Sequence, residues 1–445
     1  MNTHFTFHKG IRTIGGTIIE LAEDGYRLIF DMGRGFAPGA PGFDHDLQPR
    51  DIRDLQRLDI APKLPGVFDD ASESDGKTLI AVSHMHLDHM GFFPYLREDV
   101  PVLLTHDSLR LLQGLDAVHD GPRRSLSFVP VSYDEPYTFG PFTIEALAVD
   151  HDCPGACAFL ITTGDLRFVY SGDLRLHGSH PEWTRTFALR ARDFRPDVLF
   201  IEGTRAEADD NSTTIAEPEL AGRIAATVQA HAGGAYLLFY PRHPERVASF
   251  MQAANACGRQ LVLQPHSAYL FEHMGGQLEN VRLYGGMAKS WTEHLTAWVR
   301  KRGLDVIHPN ELAGHEHSFL VEITYPQLVD FVDIEPARDG VFMHVGGTPL
   351  GAYDPAWHNL MHWLDIFGLA FASLGSTGHG SRSDILSIAE TIAPSVLMPI
   401  HSHHPERIGL TSVRRIMPAY HRVYSREDIL RASFPAQSEL APDES

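Results

Sequence analysis

The sequence predicts an α/β protein in which one sheet-rich body is interrupted by a second unit of alternating strands and helices. Three observations carry this reading. The first third is a series of short β-branched or apolar runs bounded by Gly, Asp and Ser. From about residue 206 strand and helix patterns alternate, as in a parallel sheet layered with helices. From Leu374 a Gly/Ser-rich loop, one helix and one strand close the pattern. At 445 residues the chain is long enough for two domains, or for one large domain carrying an insertion.

In chain order, Thr17 to Leu21, Tyr26 to Asp31 and Thr78 to Ser83 read as strands, and Asp107 to Leu115 has helical spacing. Thr143 to Val149, Ala158 to Thr162 and Arg167 to Ser171 are further strands, and Asp197 to Glu202 (DVLFIE) reads as a buried one. Glu217 to His231 is a helix with Pro218 in its first turn, where the missing N–H costs nothing. Ala235 to Tyr240 (strand), Pro244 to Ala256 (helix) and Gln260 to Leu263 (strand) continue the alternation. Arg382 to Ile392 is a helix with Ile385, Ile388 and Ile392 on one face, followed by a strand from Ser395 to Ile400. The polar tail from Ala436 to Ser445 is expected to fray.

Apolar (43%) and charged (21%) fractions are those of a globular protein, which excludes a disordered or fibrous chain. No apolar run approaches the roughly 18 residues of a membrane span, so no membrane partner is expected. Met1 to Arg12 lack the apolar core of a signal peptide, and three cysteines are too few for a disulfide framework. Both point to a cytoplasmic location. Cys153 and Cys157 flank the loop after His151 and are expected to be small buried hydrophobes. The formal charge of −20 argues against a protein that coats nucleic acid through Lys and Arg. It leaves room for a nuclease, because divalent ions and a local basic strip make a cleft positive within a negative molecule. Arg123 with Arg124, Arg300-Lys301-Arg302, and Arg414 with Arg415 are candidate strips, though each also reads as ordinary solvated charge.

Among 27 histidines, spacing singles out a few. His84-Met85-His86-Leu87-Asp88-His89 follows an apolar strand directly. Alternate residues of an extended loop point the same way, so His84 and His86 can share one cation. Asp88 and His89 project where a helix starts and can hold a second. A His-rich surface turn is the competing reading, but four potential ligands in six residues after a buried strand outweigh it. His151 and Asp173 each end a strand on the side where consecutive strands would finish, and the two oxygens of Asp173 allow it to bridge two cations. Imidazole with carboxylate suits Zn²⁺, with Mn²⁺ or Fe as alternatives.

Together with a late His401, this set resembles the ligand set of the metallo-β-lactamase superfamily. The resemblance implies an αββα sandwich with two divalent metal ions, Zn²⁺ first and Mn²⁺ second in order of expectation. It assigns His84, His86, His151 and Asp173 to one cation, and Asp88, His89, Asp173 and His401 to the other. The strand ending in Asp31 (LIFDMG) resembles the superfamily's first motif, whose Asp supports a ligand through hydrogen bonds. His403 and His404 are alternatives to His401, which the strand-end position favours.

Between Asp173 and His401 lie 227 residues, and the excess starts just after Glu202 (FIEGT) and ends just before His379 (TGHGS). This resembles the β-CASP branch, and within it the bacterial ribonuclease J-like nucleases: an acidic motif, an inserted domain, a Gly-His-Gly/Ala-Ser motif and a Pro-x-His motif, here Pro399-Ile400-His401. The implied domains are a split metallo-β-lactamase domain, 1–205 and 373–445, and an inserted α/β β-CASP domain, 206–372, with the site in a cleft between them. Two stretches depart from the pattern: Pro241-Arg242-His243-Pro244-Glu245, and Ser402-His403-His404 after the Pro-x-His motif. A segment matching ribonuclease J's C-terminal domain is not expected.

The implied function is a dinuclear-metal nuclease cleaving single-stranded RNA, with DNA as an alternative substrate, from an end or internally. Metal-activated hydroxide attacks phosphorus, oriented by Asp88 and supported by Asp31. His379 protonates the leaving oxygen, Glu202 sets its charge and tautomer, and the backbone of Gly378, Gly380 and Ser381 holds phosphate. The alternative is a small-molecule metallo-hydrolase acting on a lactone, thioester or cyclic phosphodiester, with the insert as a lid. A homodimer is left open.

Overall fold

Alternation along the strands builds the first body. In Tyr26–Phe30 and Thr78–Ala81, Leu28, Phe30, Leu79 and Ala81 enter one core cluster, while Ile29 and Ile80 are buried on the opposite face. In the facing sheet Phe168, Tyr170, Val198, Phe200, Val396 and Met398 join that same cluster, and Val169, Leu199, Ile201 and Leu397 point outward. The outward set is covered by Phe187, Ala188 and Ala191 of the helix Pro181–Phe194, and by Ile385, Ile388, Ala389 and Ile392 of the helix Arg382–Ile392. A Phe5, Phe7, Phe168, Phe200 and Tyr424 cluster fills the space between the sheets, with Phe5 and Tyr424 stacked at 5.1 Å. Truncating any one of these rings removes about 3–5 kcal/mol.

The computed structural model describes residues 3–36, 42–43, 46–70, 72–122, 124–209, 214–286 and 291–431. Arg123 and the tail 436–445 lie outside the described residues. The chain divides into two compact units. The first comprises Met1–Leu109, Pro122–Thr213 and Gly378–Ser445, and the second Arg110–Gly121 and Thr214–Thr377. The first contains two seven-stranded sheets. One runs Val423–Ser425, His4–Lys9, Ile18–Glu23, Tyr26–Phe30, Thr78–Ala81, Pro101–Thr105, Ser127–Val131 from edge to edge. The other runs Arg414–Arg415, Val396–Ile400, Val198–Glu202, Arg167–Tyr170, Cys157–Thr162, Phe142–Ala148, Pro136–Phe139. Two face-to-face sheets with helices outside are the α/β sandwich that the sequence implied.

The pairing directions decide where functional loops fall. Tyr26–Phe30 runs parallel to Thr78–Ala81, so Asp31 and Ser83 leave the sheet on one edge. Arg167–Tyr170, Val198–Glu202 and Val396–Ile400 are mutually parallel, with Glu202 opposite Ile400, so Asp173, Glu202 and His401 share an edge. Cys157–Thr162 is antiparallel to Arg167–Tyr170, which brings the loop holding His151 to that same edge.

The second unit is one seven-stranded sheet, wholly parallel, in the order Val306–Ile307, Val281–Tyr284, Gln260–Leu263, Phe319–Glu322, Ala235–Leu238, Val341–His344, Ala370–Ser373. Both faces are buried. Leu237, Leu261, Leu320 and Met343 pack with the helices Glu217–Gln229 and Arg246–Ala256, while Tyr236, Val262, Val321 and Phe342 pack with Phe331, Leu360 and Leu364. Three of its elements, the helices near 217 and 246 and the strand Gln260–Leu263, fall where the sequence placed them. That Arg110–Gly121 groups with this unit rather than with the first was not visible in the sequence.

Candidate metal centre

After Thr78–Ala81 the chain reaches His86, extended at φ −74° and ψ 151°, which caps the short helix Leu87–Met90. Asp88 and His89 therefore sit on a helical turn while His84 and His86 precede it. A close backbone approach fixes that turn. Met32 N–H donates to His89 O (2.8 Å), and Gly33 lies so near that a Cβ would fall 1.5 Å from Asp88 O. Asp31 (φ 57°) and His401 (φ 52°) both adopt the left-handed conformation, which Asp and His tolerate better than most residues.

The structure gathers the expected residues into three groups whose donor atoms lie within 4.8 Å of one another: His84, His86 and His151; Asp88, His89, Asp173 and His401; and Asp173, Glu202 and His379. Two ligands of one cation, each about 2.1 Å from it, stand about 3.0–3.4 Å apart at octahedral to tetrahedral angles. The contacts match. His86 Nδ1 and His151 Nε2 are 3.2 Å apart, and His89 Nε2 lies 3.2 Å from His401 Nε2 and 3.0 Å from Asp173 Oδ2. His401 Nε2 is 3.3 Å from Asp88 Oδ2 and 3.5 Å from Asp173 Oδ2. The same Asp173 oxygen is 3.8 Å from His84 Nε2, a fully buried nitrogen with no hydrogen-bond partner among the described residues. These residues fit a pair of divalent cations.

The outer nitrogens are held in turn. His89 Nδ1 donates to Asp31 Oδ2 (2.7 Å), and His151 Nδ1 donates to Gly378 O (2.6 Å). His401 Nδ1 meets Thr204 Oγ1 at 2.7 Å, and His84 Nδ1 meets Ser83 Oγ at 3.1 Å. Each pairing turns the other ring nitrogen inward and fixes its tautomer. Asp31, fully buried, also accepts from Ser83 N (2.8 Å), Ser83 Oγ (3.0 Å) and the Tyr170 hydroxyl. Tyr170, Ser83 and Thr204 were not foreseen; their roles depend on contacts across the sheets, which sequence spacing does not carry.

Electrostatics follow the same division. Burial pushes the His84 and His151 imidazoles down and holds His86 at about 3, which keeps all three neutral, the form that binds metal. Burial works against a charge on His89 as well, but Asp173, Asp31 and Asp88 outweigh it and hold its pKa well above the ordinary value. Burial likewise opposes the Asp173 carboxylate, and His401, His89 and His379 overcome it, holding Asp173 well down. One proton on His89 thus supplies positive charge that a cation would supply.

Glu202 and His379 form the third group. Both Glu202 oxygens lie 3.1 Å from His379 Nδ1, and Glu202 also accepts from Leu174 N and Thr204 N. Burial disfavours charge on His379, yet Glu202 and Asp173 raise its pKa to about 9. The phosphate-holding role expected of Gly380 and Ser381 needs correction. Gly380 N–H donates to Leu174 O (2.8 Å), and Ser381 N–H donates to Asp384 within a capping box, so both backbone donors are engaged inside the protein. Gly378 contributes its carbonyl, to His151.

The remaining candidates resolve simply. Cys153 and Cys157 are buried free thiols, as expected. His403 is exposed and His404 pairs with Glu207 (2.9 Å) and Glu406 (3.1 Å), which leaves His401 as the histidine of that run in the cluster. Arg124 pairs with Asp69 and Arg302 with Glu272, while Arg415 donates to Glu406 O. No helix among the described residues is long and apolar enough to cross a membrane.

The sandwich and the histidine-carboxylate cluster at one edge of its strands define a metallo-β-lactamase fold, and residues 58–238 match the beta-lactamase superfamily domain. Along most of its length the chain is similar to ribonuclease J. The protein of that name from Pyrococcus abyssi is 22% identical over 408 residues, 88% of each chain. Those from Mycolicibacterium smegmatis (27% over 258 residues) and Corynebacterium glutamicum (22% over 416 residues) are longer, and the chain spans 42% and 52% of them. A solved structure of a protein of unknown function from Enterococcus faecalis V583 superposes with a TM-score of 0.79 at 25% identity, covering 96% of this chain and all of that one.

Proposed function

We propose that this chain is a dinuclear metal-dependent phosphodiesterase that cleaves single-stranded RNA. The beta-lactamase superfamily domain and the ribonuclease J relatives support a metal-dependent hydrolase acting on nucleic acid. The observation that carries the dinuclear reading is the position of Asp173 Oδ2, 3.0 Å from His89 Nε2 and 3.8 Å from His84 Nε2, between the two groups. His84, His86, His151 and Asp173 would hold one cation, and Asp88, His89, Asp173 and His401 the other. Bound there, two divalent cations would lower the pKa of a water they hold to about 7 and offset charge that grows on phosphate oxygens.

The protein's own groups supply the rest. Asp31 fixes His89, and Thr204 fixes His401, so that their inward nitrogens converge without reorganisation. With Nδ1 held by Glu202, Nε2 of His379 would be the nitrogen that gives a proton to the leaving oxygen. A small-ester hydrolase is the second reading, favoured by the charge of −20. Incubation of the Zn²⁺- or Mn²⁺-loaded protein with end-labelled single-stranded RNA and DNA, beside a lactone and a thioester, separates the two. Cleavage of RNA alone is the expected result, and turnover confined to the esters would remove the nuclease reading.

A further inference from the structure

We infer that the buried ion pair of Asp150 and Arg175 is a positioning device for one cation site only: it sets His151 and leaves the second site to other supports. The inference rests on the dinuclear reading above and concerns two residues outside both ligand groups. Arg175 Nε donates to Asp150 Oδ1 at 3.0 Å, and the two residues are 1% and 2% exposed. Asp150 Oδ2 accepts from His180 N (3.0 Å), and Asp150 O accepts from Arg175 N (2.8 Å). Asp150 N donates to Thr184 Oγ1 (2.9 Å), so every polar group of Asp150, main chain and side chain, is engaged. Arg175 Nη2 also reaches the main-chain oxygen of His151, at 3.5 Å.

A buried pair of opposite charges adds little net stability, because desolvation takes back most of the attraction. With every lone pair and proton partnered, it does fix one conformation. Here the fixed object is the turn that carries His151. Arg175 holds the carbonyl of that residue and Gly378 O holds its ring at 2.6 Å, which leaves Nε2 3.2 Å from His86 Nδ1. The loop after Asp173 is shaped to close over the pair. A Cβ on Gly178 would stand 2.0 Å from Asp150 Oδ1 and 2.3 Å from Arg175 Nε, so only glycine fits there. Asp173 has separate anchors, since Leu174 N donates to Glu202 and Ser171 N donates to Phe200 O, both at 3.0 Å. His89 and His401 are held by Asp31 and Thr204. Loss of the pair therefore loosens His151, a ligand of one cation, and spares the ligands of the other.

The test is calorimetric titration of the full-length protein with Mn²⁺, with amide hydrogen exchange of the metal-free protein as a second readout. Asp150→Asn and Arg175→Met each remove one charge of the pair. Each should weaken one of two cation sites by roughly 10–100-fold and leave the other unaltered. Exchange in the metal-free variants should quicken around His151 and stay unaltered around His89 and His401. Adding Asp31→Asn, which removes the acceptor of His89, to Asp150→Asn should weaken both sites. Arg175→Lys keeps the charge but replaces the guanidinium fork with a single ammonium, so it should show a smaller loss at one site. This last variant carries the test should the other two fail to fold. Unaltered affinities in the folded variants, even with a lowered melting temperature, or equal weakening of both sites, would overturn the inference and leave the dinuclear reading intact. Failure of the unaltered protein to bind two cations would overturn both.

Discussion

Glu202 grips His379 with both carboxylate oxygens, each 3.1 Å from Nδ1, at the strand end where Glu202 pairs with Ile400 and the chain turns into His401. The acid candidate and a candidate cation ligand are thus fixed by neighbouring parallel strands. His379 itself lies outside the two ligand groups proposed here. His379→Ala should keep two cations and near-native thermal stability while phosphodiester cleavage falls by about 10²–10⁴-fold. The loss should shrink with a nitrophenyl phosphodiester, whose leaving group needs no proton. Equal losses on both substrates would deny His379 the role of acid.

Asp31 offers a contrast, because it acts through the groups it holds, His89 most directly at 2.7 Å. Asp31→Asn keeps the shape but removes the charge that accepts from His89, Ser83 and Tyr170. Affinity for one of the two cations should fall by roughly 10–100-fold. Calorimetric titration with Mn²⁺ should resolve one weakened and one unaltered site. Equal weakening of both would mean that Asp31 supports the whole loop rather than one ligand.

Much of this centre was legible because its densest part is local. His84, His86, Asp88 and His89 lie within six residues, and strand-end positions marked His151, Asp173 and His401. The helices near 217, 246 and 382 showed through the spacing of their apolar residues. What stayed hidden depends on pairing across sheets. Edge strands such as Pro136–Phe139 and Ser127–Val131 are half-buried and carry weak alternation. Tyr170 and Thr204 are ordinary strand and loop residues until Asp31 and His401 are placed beside them. The donors of Gly380 and Ser381 looked available because a Gly-rich loop before a helix suggests an anion site, whereas here Leu174 O and Asp384 take them.

The second unit carries its own pH dependence. Glu322, at the end of the strand Phe319–Glu322, is buried among Ser267 and Gln264, and burial raises its pKa from 4.5 to about 8. Between those values the folded state holds a proton that the unfolded chain has released. The stability this group contributes is therefore complete below about pH 4.5 and is lost as pH rises through 8. Four of the five tryptophans, Trp291, Trp298, Trp357 and Trp363, lie in this unit, so their fluorescence reports its unfolding. The denaturation midpoint should fall between pH 5 and pH 8.5, and by less in Glu322→Gln. An identical fall in the variant would place the dependence elsewhere.

In the proposed centre one carboxylate, Asp173, joins two cation sites. Elemental analysis of the protein saturated with Zn²⁺ or Mn²⁺ and then freed of excess metal, set beside Asp173→Ala treated in the same way, tests it most directly. Two ions per chain are expected in the unaltered protein and a loss at both sites in the variant. One ion or none per unaltered chain, or a variant that still holds two, would contradict it.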